Sequence, residues 1–245
     1  MMMEELITVI IPAYNEEPIV KKLVLDTLHV MHSFAKDYEI IVIDDGSTDL
    51  TCKEVLSIKN DHVRLIRNEK NMGKTRTMLR GFGLARGDII SFIDADYQYD
   101  PQDLVTLIRT LKEGYDIATG HRKRRQDSLY RKIMSWSFNA FNEHLFGIRV
   151  KDVNCGLKVF TKSACKNIHI KYLNAKWFID TELLARCYDK NIRIGESEVR
   201  HYQRTEGRSK VNCLMLARET IFYGILLKKD LVLQRIFSSR RQKQE

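Results

Sequence analysis

The chain has 245 residues, 44% of them hydrophobic, enough apolar material to bury a sizeable core, which excludes a disordered chain. Its 41 Lys and Arg against 32 Asp and Glu give a formal net charge of +9, a balance that suits nucleic acid, anionic membrane surfaces or phosphorylated substrates without separating them. Five cysteines (Cys52, Cys155, Cys165, Cys187 and Cys213) without CxxC spacing argue against a disulfide frame or a zinc site and point to a reducing compartment.

Residues 6–11 form a nearly all-apolar, β-branched run ended by Pro12, the pattern of a buried parallel strand. A helix is expected over 18–35, a second buried strand over 39–43 and its stop at Asp44-Asp45-Gly46-Ser47, with Asp49 or Thr51 able to cap the helix that follows. A third strand over 63–66, a helix over 74–85 and a fourth strand over 88–93 come next. A helix over 101–112 and a fifth strand over 116–120 complete the regular half. Strands alternating with helices predict an α/β fold: an open, mostly parallel, doubly wound, Rossmann-like sheet with its ligand beyond the carboxyl ends of the strands.

The second half is less regular. Residues 129–145 read as a helix rich in aromatics, 159–160 and 192–194 as short strands, and 180–188 as a helix. A catalytic domain over 1–212 is expected, followed over 213–245 by an amphipathic helical segment with a basic tail at Arg240-Arg241-Gln242-Lys243. That segment could lie in a membrane interface, its lysines on anionic headgroups, or dock on the core or on a second subunit in a homo-oligomer. No run of 18 apolar residues occurs, and the start of the chain lacks a basic leader and a cleavage site, so neither a membrane span nor a signal peptide is expected.

Asp94-Ala95-Asp96-Tyr97-Gln98 places two carboxylates at i and i+2 after a buried strand. Unpaired they would repel, and hard oxygen ligands in such a pair suit Mg²⁺ or Mn²⁺. A solvated turn is the plainer reading of a bare DxD; the preceding strand and Gln98 favour a metal. Asp44-Asp45-Gly46-Ser47-Thr48-Asp49 fits either a turn with a helix cap or a carboxylate that accepts hydrogen bonds from a base or ribose. Asn71-Met72-Gly73-Lys74 opens a helix where Lys74 could meet phosphate, although no Walker loop is present. The basic knot His121-Arg122-Lys123-Arg124-Arg125 is either a solvated charge run or a phosphate contact.

Four segments in order, Val9-Ile10-Ile11-Pro12-Ala13-Tyr14-Asn15-Glu16-Glu17, Asp44 to Asp49, Asn71 to Lys74 and Asp94-Ala95-Asp96, resemble the inverting family 2 glycosyltransferases of the GT-A fold. The downstream pieces Asp152-Val153-Asn154-Cys155-Gly156-Leu157-Lys158-Val159-Phe160, Asp180-Thr181-Glu182 and Arg204-Thr205-Glu206-Gly207-Arg208-Ser209-Lys210 resemble the dolichyl- and polyprenyl-phosphate hexose synthase type. The QxxRW motif of processive polysaccharide synthases is missing: Gln203-Arg204-Thr205-Glu206-Gly207 starts like it and lacks the Arg-Trp.

The resemblance implies a nucleotide-sugar donor, either GDP- or UDP-linked, and a polyprenyl or dolichyl phosphate acceptor. It implies that Pro12, Tyr14, Glu16 and Asp45 hold the nucleoside, and that Asp94, Asp96 and Gln98 hold Mg²⁺ or Mn²⁺ and through it the diphosphate. It implies too that Arg122, Arg131, Ser135, Arg204 and Lys210 hold phosphates of donor and acceptor. A phosphate nucleophile is already ionised near neutral pH and needs positive charge more than a base, so Arg131 and Asp96 are weighted for catalysis, with Asp152 and the Asp180/Glu182 pair as candidate bases. The expected setting is the cytoplasmic face of a membrane, reached peripherally, with no nucleic-acid role. The alternative is a soluble family 2 transferase with a saccharide or protein acceptor, whose hydroxyl would need such a base.

Overall fold

A computed structural model describes residues 2–122, 129–175, 178–203 and 213–241, with side chains in the helices at 129 and 213 described from 134 and over 216–236. In chain order the elements are β1 (Ile7–Ala13), α1 (Glu17–Phe34), β2 (Tyr38–Asp44), α2 (Thr51–Leu56) and β3 (Val63–Arg67). Then come α3 (Lys74–Leu84), β4 (Ile89–Ile93), α4 (Gln102–Lys112), β5 (Ile117–Arg122) and α5 (Leu129–Phe146). β6 (Leu157–Thr161), α6 (Lys162–Asn167), α7 (Ile179–Asp189), β7 (Ile194–Val199) and α8 (Cys213–Arg241) complete the order.

The strands form one sheet in the order β3-β2-β1-β4-β6-β5-β7. β3, β2, β1 and β4 are mutually parallel, as the apolar runs predict. β6 enters between β4 and β5 and runs antiparallel to both, while β5 and β7 are parallel. The expected mostly parallel, doubly wound sheet is what forms, with one reversed strand near its middle. Alternate residues of each central strand face opposite layers. Val9, Ile11, Ile40 and Val42 meet α1 and α4 on one side; Ile10, Ile41 and Ile43 meet the layer built from α3, α6 and α7 on the other.

Three sequence expectations shift. The strand expected at 192–194 begins at Ile194 and runs to Val199, because the chain first turns through Asn191, whose φ is 54°. α6 follows β6 directly, its start capped by the Thr161 hydroxyl accepting from Ala164 N, and the sequence reading had no helix there. At α2 the cap position falls on Leu50; Asp49 instead accepts from Thr51 N at 3.0 Å and Glu17 N at 3.2 Å. α8 packs on α5 and α7 and buries Thr220, Leu227 and Leu231, the two leucines joining the second core layer. It is therefore built onto the sheet domain along one face.

Candidate active site

The carboxyl ends of β1, β2, β4 and β5 and the start of the reversed β6 lie at one edge of the sheet, which brings Pro12, Asp45, Asp94 and Arg122 to that edge. The turn after β1 and the turn after β2 interlock. Asn15 N donates to Ser47 Oγ at 2.9 Å, Thr48 N to Asn15 Oδ1 at 2.8 Å, and Glu16 N to Thr51 Oγ1 at 2.9 Å. Pro12 and Tyr14 are half-buried on this rim and Glu16 is buried. Asp44 faces inward: it accepts from the Cys52 thiol at 3.0 Å and pairs with Arg67 at 3.1 Å. Burial and the Asp44 carboxylate push that thiol up to about 11, so it stays protonated.

Asp45 is the organiser of the next loop. Its carboxylate accepts from Asn68 Nδ2 at 2.7 Å, Met72 N at 2.8 Å and Gly73 N at 2.9 Å. These bonds hold the entry to α3, where Gly73 adopts φ 86°, and so aim Lys74 at the end of β4. Asp45 is thus tied to protein donors that shape this loop.

Lys74 Nζ reaches Asp94 Oδ1 at 2.9 Å and Oδ2 at 3.2 Å, stands 4.0 Å from Asp180 Oδ2, and lies 5.1 Å from the centre of the Phe92 ring. Burial opposes its charge, but Asp94, Asp180 and Asp96 together outweigh that effect and hold the ammonium protonated well above the usual lysine range. Asp180, in the first turn of α7, is also gripped by Lys158 Nζ at 2.6 Å. Lys158 is almost fully buried and donates as well to the backbone carbonyls of Val153, at 3.3 Å, and Cys155. Burial would raise the Asp180 carboxyl, yet Lys158 and Lys74 hold it below the usual carboxylate range. The result is an alternating row of charges, Asp94, Lys74, Asp180, Lys158.

Gly156, the residue just before β6, presses on this row. A Cβ there would stand 2.0 Å from Asp94 Oδ2, while Gly156 N donates to the Tyr99 hydroxyl at 2.9 Å. Asp96 accepts from Gln98 N at 3.2 Å. The Gln98 side chain turns toward the segment after β7, donating to Tyr202 O at 3.2 Å. At the end of β5 the Arg122 fork closes on Asp152, with Nε to Oδ2 at 2.5 Å and a terminal nitrogen to Oδ1 at 2.7 Å, both residues largely buried. Ser135 is half-buried on α5. The Arg131 side chain, Lys123 to Arg125 of the basic knot, and Arg204 and Lys210 lie outside the described residues.

The donor set fits a hard divalent ion. Asp94 and Asp96 give oxygens on one turn, and Asp94 already draws a cation to hydrogen-bonding distance. Mg²⁺ usually takes one or two protein carboxylates and completes its shell with phosphate and water. Among the described residues no group of three His, Cys, Asp or Glu gathers, so Asp94 and Asp96 would act as such a pair.

The glycosyl transferase family 2 pattern matches residues 8–173, a span that covers the turns after β1, β2 and β4 and all of β6. The chain belongs to that family. It is 33% identical over 223 residues to an undecaprenyl-phosphate 4-deoxy-4-formamido-L-arabinose transferase of Proteus mirabilis (strain HI4320), covering 90% of this chain and 66% of the relative. It is 32% identical over 209 residues to a dodecaprenyl-phosphate galacturonate synthase of Rhizobium johnstonii, covering 83% and 61%. This family 2 chain therefore spans somewhat less than two-thirds of each relative. A glucosyl-3-phosphoglycerate synthase from Mycobacterium tuberculosis in complex with uridine diphosphate shares the fold, with a TM-score of 0.70 at 21% identity over 92% of this chain and 80% of that one. The same enzyme with Mn²⁺, uridine diphosphate and phosphoglyceric acid superposes with a TM-score of 0.69 at 18% identity, over 91% and 78%. The GT-A expectation holds on these grounds.

Lys158, Asn68, Tyr99 and Gly156 were not singled out as site residues in the sequence. Lys158 carried a signal: a lysine inside the strand Leu157-Lys158-Val159-Phe160 needs a buried carboxylate partner.

Proposed function

We propose that the protein transfers a hexose or related sugar from a GDP- or UDP-linked donor to a polyprenyl or dolichyl phosphate, with inversion, using Mg²⁺ or Mn²⁺. The observation that carries the reading is the Asp94–Lys74–Asp180–Lys158 row at the carboxyl end of β4. The names of the two prenyl-phosphate relatives support the acceptor, and the Mn²⁺ of the structural neighbour supports the metal.

In this reading Asp94 and Asp96 hold the ion, which would neutralise charge on the departing diphosphate. Lys74 adds a second positive charge beside it. The turns after β1 and β2, fixed by Asn15, Ser47 and Thr51, take the nucleoside. The acceptor phosphate enters ionised and attacks from the opposite face, so no base is required. Two arrangements favour that over a hydroxyl acceptor: both Asp152 oxygens accept from Arg122, and Asp180 is held ionised by two lysines, which makes it a weak base. Arg131 and Ser135, four apart on α5, share a face that could clasp the acceptor phosphate, with Arg204 and Lys210 contributing from the 204–210 segment.

We place the protein against the cytoplasmic face of a membrane. Among the described residues no helix is long and apolar enough to cross one. The outward side of α8 exposes Ile221, Phe222 and Ile225 by 54%, 58% and 61%, together with Val232, Leu233 and Ile236. Arg218 and Lys229 lie on the same exposed side. Apolar side chains mixed with cations suit an anionic lipid surface, whereas a twofold contact through this side would bring like charges together.

A panel of UDP- and GDP-sugars with a short polyprenyl phosphate and Mn²⁺ or Mg²⁺, read by mass spectrometry, tests the reaction. A sugar–phosphate–lipid product that disappears with EDTA is expected. Turnover of saccharide acceptors alone, or undiminished turnover after metal removal, overturns the reading.

A further inference from the structure

Lys74 stands where two roles compete. Its ammonium lies against both oxygens of Asp94, at 2.9 and 3.2 Å, which is the carboxylate a divalent ion would use. The opposite carboxylate, Asp180 Oδ2, is already 4.0 Å away. Asp180 has its own fixed partner in Lys158 through Oδ1, at 2.6 Å, so its other oxygen remains the one turned to Lys74. Lys158 is in turn anchored to the carbonyls of Val153 and Cys155, which keeps Asp180 from following Lys74. The Phe92 ring lies under the ammonium, its centre 5.1 Å away. A flexible four-carbon stem with a point charge can shift between two such oxygens without backbone movement.

We infer that Lys74 is a movable counter-ion: it neutralises Asp94 while the metal seat is empty and passes to Asp180 when a divalent ion takes Asp94. This rests on the proposed metal role of Asp94 and adds to it a reason for Asp180 and Lys158. A bare Asp94 beside Asp96 and Asp180 would be a cluster of like charges, which the ammonium relieves. When the ion arrives, the ammonium would be repelled by it, and Asp180 Oδ2, 4.0 Å from the ammonium, offers a second seat.

The test is Mn²⁺ binding to the protein without nucleotide, followed from the electron paramagnetic resonance signal of free Mn²⁺. Lys74→Met removes the competitor and is expected to bind Mn²⁺ roughly three- to tenfold more tightly, the scale of one partly screened charge contact. Lys74→Gln gives a second variant, and a thermal melt of each confirms folding. Asp180→Asn removes the second seat and is expected to weaken Mn²⁺ binding when Lys74 is present, and to have much less effect in the Lys74→Met background. A direct attraction between Asp180 and the ion would instead persist in that background and would overturn the transfer. Unchanged or weaker Mn²⁺ binding in folded Lys74→Met and Lys74→Gln also overturns it. If wild type binds no Mn²⁺ with or without UDP, the metal reading itself has failed, which is a separate result.

Discussion

Gly156 lies so close to Asp94 that no side chain fits between them: a Cβ at 156 would stand 2.0 Å from Asp94 Oδ2, 2.7 Å from its Cγ and 2.9 Å from Tyr99 Cε2. Asp94 N also donates to Gly156 O at 3.3 Å, so the residue just before β6 fixes the backbone of Asp94 as well as crowding its carboxylate. Gly156→Ala must displace the Asp94 carboxylate from the position in which it meets Lys74. Overpacking of this kind costs about 1–3 kcal/mol, and if it falls on the bound donor, kcat/KM drops roughly ten- to hundredfold. Steady-state kinetics with the donor varied should show that loss with the acceptor KM little changed; wild-type donor kinetics in this variant would contradict the placement of Asp94.

The Arg122–Asp152 fork is buried, with side chains 11% and 6% exposed. Burial opposes the guanidinium's charge, but Tyr99 and Asp152 outweigh that effect and hold it well above its ordinary range. Removing one partner strands the other, which typically costs about 3–5 kcal/mol, whereas removing both is far milder. Arg122→Met should therefore destabilise the fold strongly in urea melts, and Arg122→Met with Asp152→Asn should recover part of the loss. Additive losses in the double variant would show that the two residues do not act as a pair.

Arg131→Ala addresses the acceptor. A charged hydrogen bond to phosphate contributes about 1.5–3 kcal/mol, so kcat/KM for the lipid phosphate should fall roughly ten- to hundredfold. The defect should appear as a raised acceptor KM with the donor KM unchanged. A defect confined to the donor would remove Arg131 from the acceptor site.

Flotation with anionic liposomes probes α8. Binding should weaken in high salt, since screening limits surface attraction to within about 8 Å at physiological ionic strength. Phe222→Ser with Ile225→Ser should reduce it at every salt concentration. Equal flotation of that variant and wild type would move the contact elsewhere.

Glu39 sets part of the acid limit of stability. It is a buried residue of β2, where burial opposes its charge, but Arg86 N at 2.8 Å, Arg64 at 2.7 Å and the Thr8 hydroxyl at 2.8 Å hold its carboxyl below the ordinary glutamate value. A carboxyl depressed in the folded state stabilises above its unfolded value, and that stability is lost as pH falls through the folded one. Glu39→Gln should lower stability at neutral pH and flatten the decline below pH 4.5. An unchanged slope in the acid limb of a denaturation series would contradict this.

The parallel half was readable because β1, β2 and β4 are buried on both faces and so appear as nearly continuous apolar runs, each closing at a residue that matters: Pro12, Asp44 and Asp94. β7 was misplaced because Ile194-Gly195-Glu196-Ser197-Glu198-Val199 borders the sheet and carries polar side chains, so the apolar-run signal fails there. The direction of β6 was not legible, since its neighbours β4 and β5 are chosen by contacts far along the chain. The partners of Asp152 and Asp180 were hidden for the same reason: Arg122 and Lys158 are brought to them by strand order, which local spacing does not encode.

The reversed β6 also fixes when the sheet can close during synthesis. Among the described residues β5 pairs only with β6 and β7, both of which leave the ribosome after it. Until residue 157 emerges, the apolar face of Ile117–Arg122 has no ladder partner, and β4 keeps one bare edge. Unpaired edges of this kind recruit other chains. The nascent protein is thus most prone to aggregate after its DxD turn has been made and before Gly156 has reached it, and the strand that covers the bare edge of β4 and one edge of β5 is the same one that carries Gly156 to the candidate site.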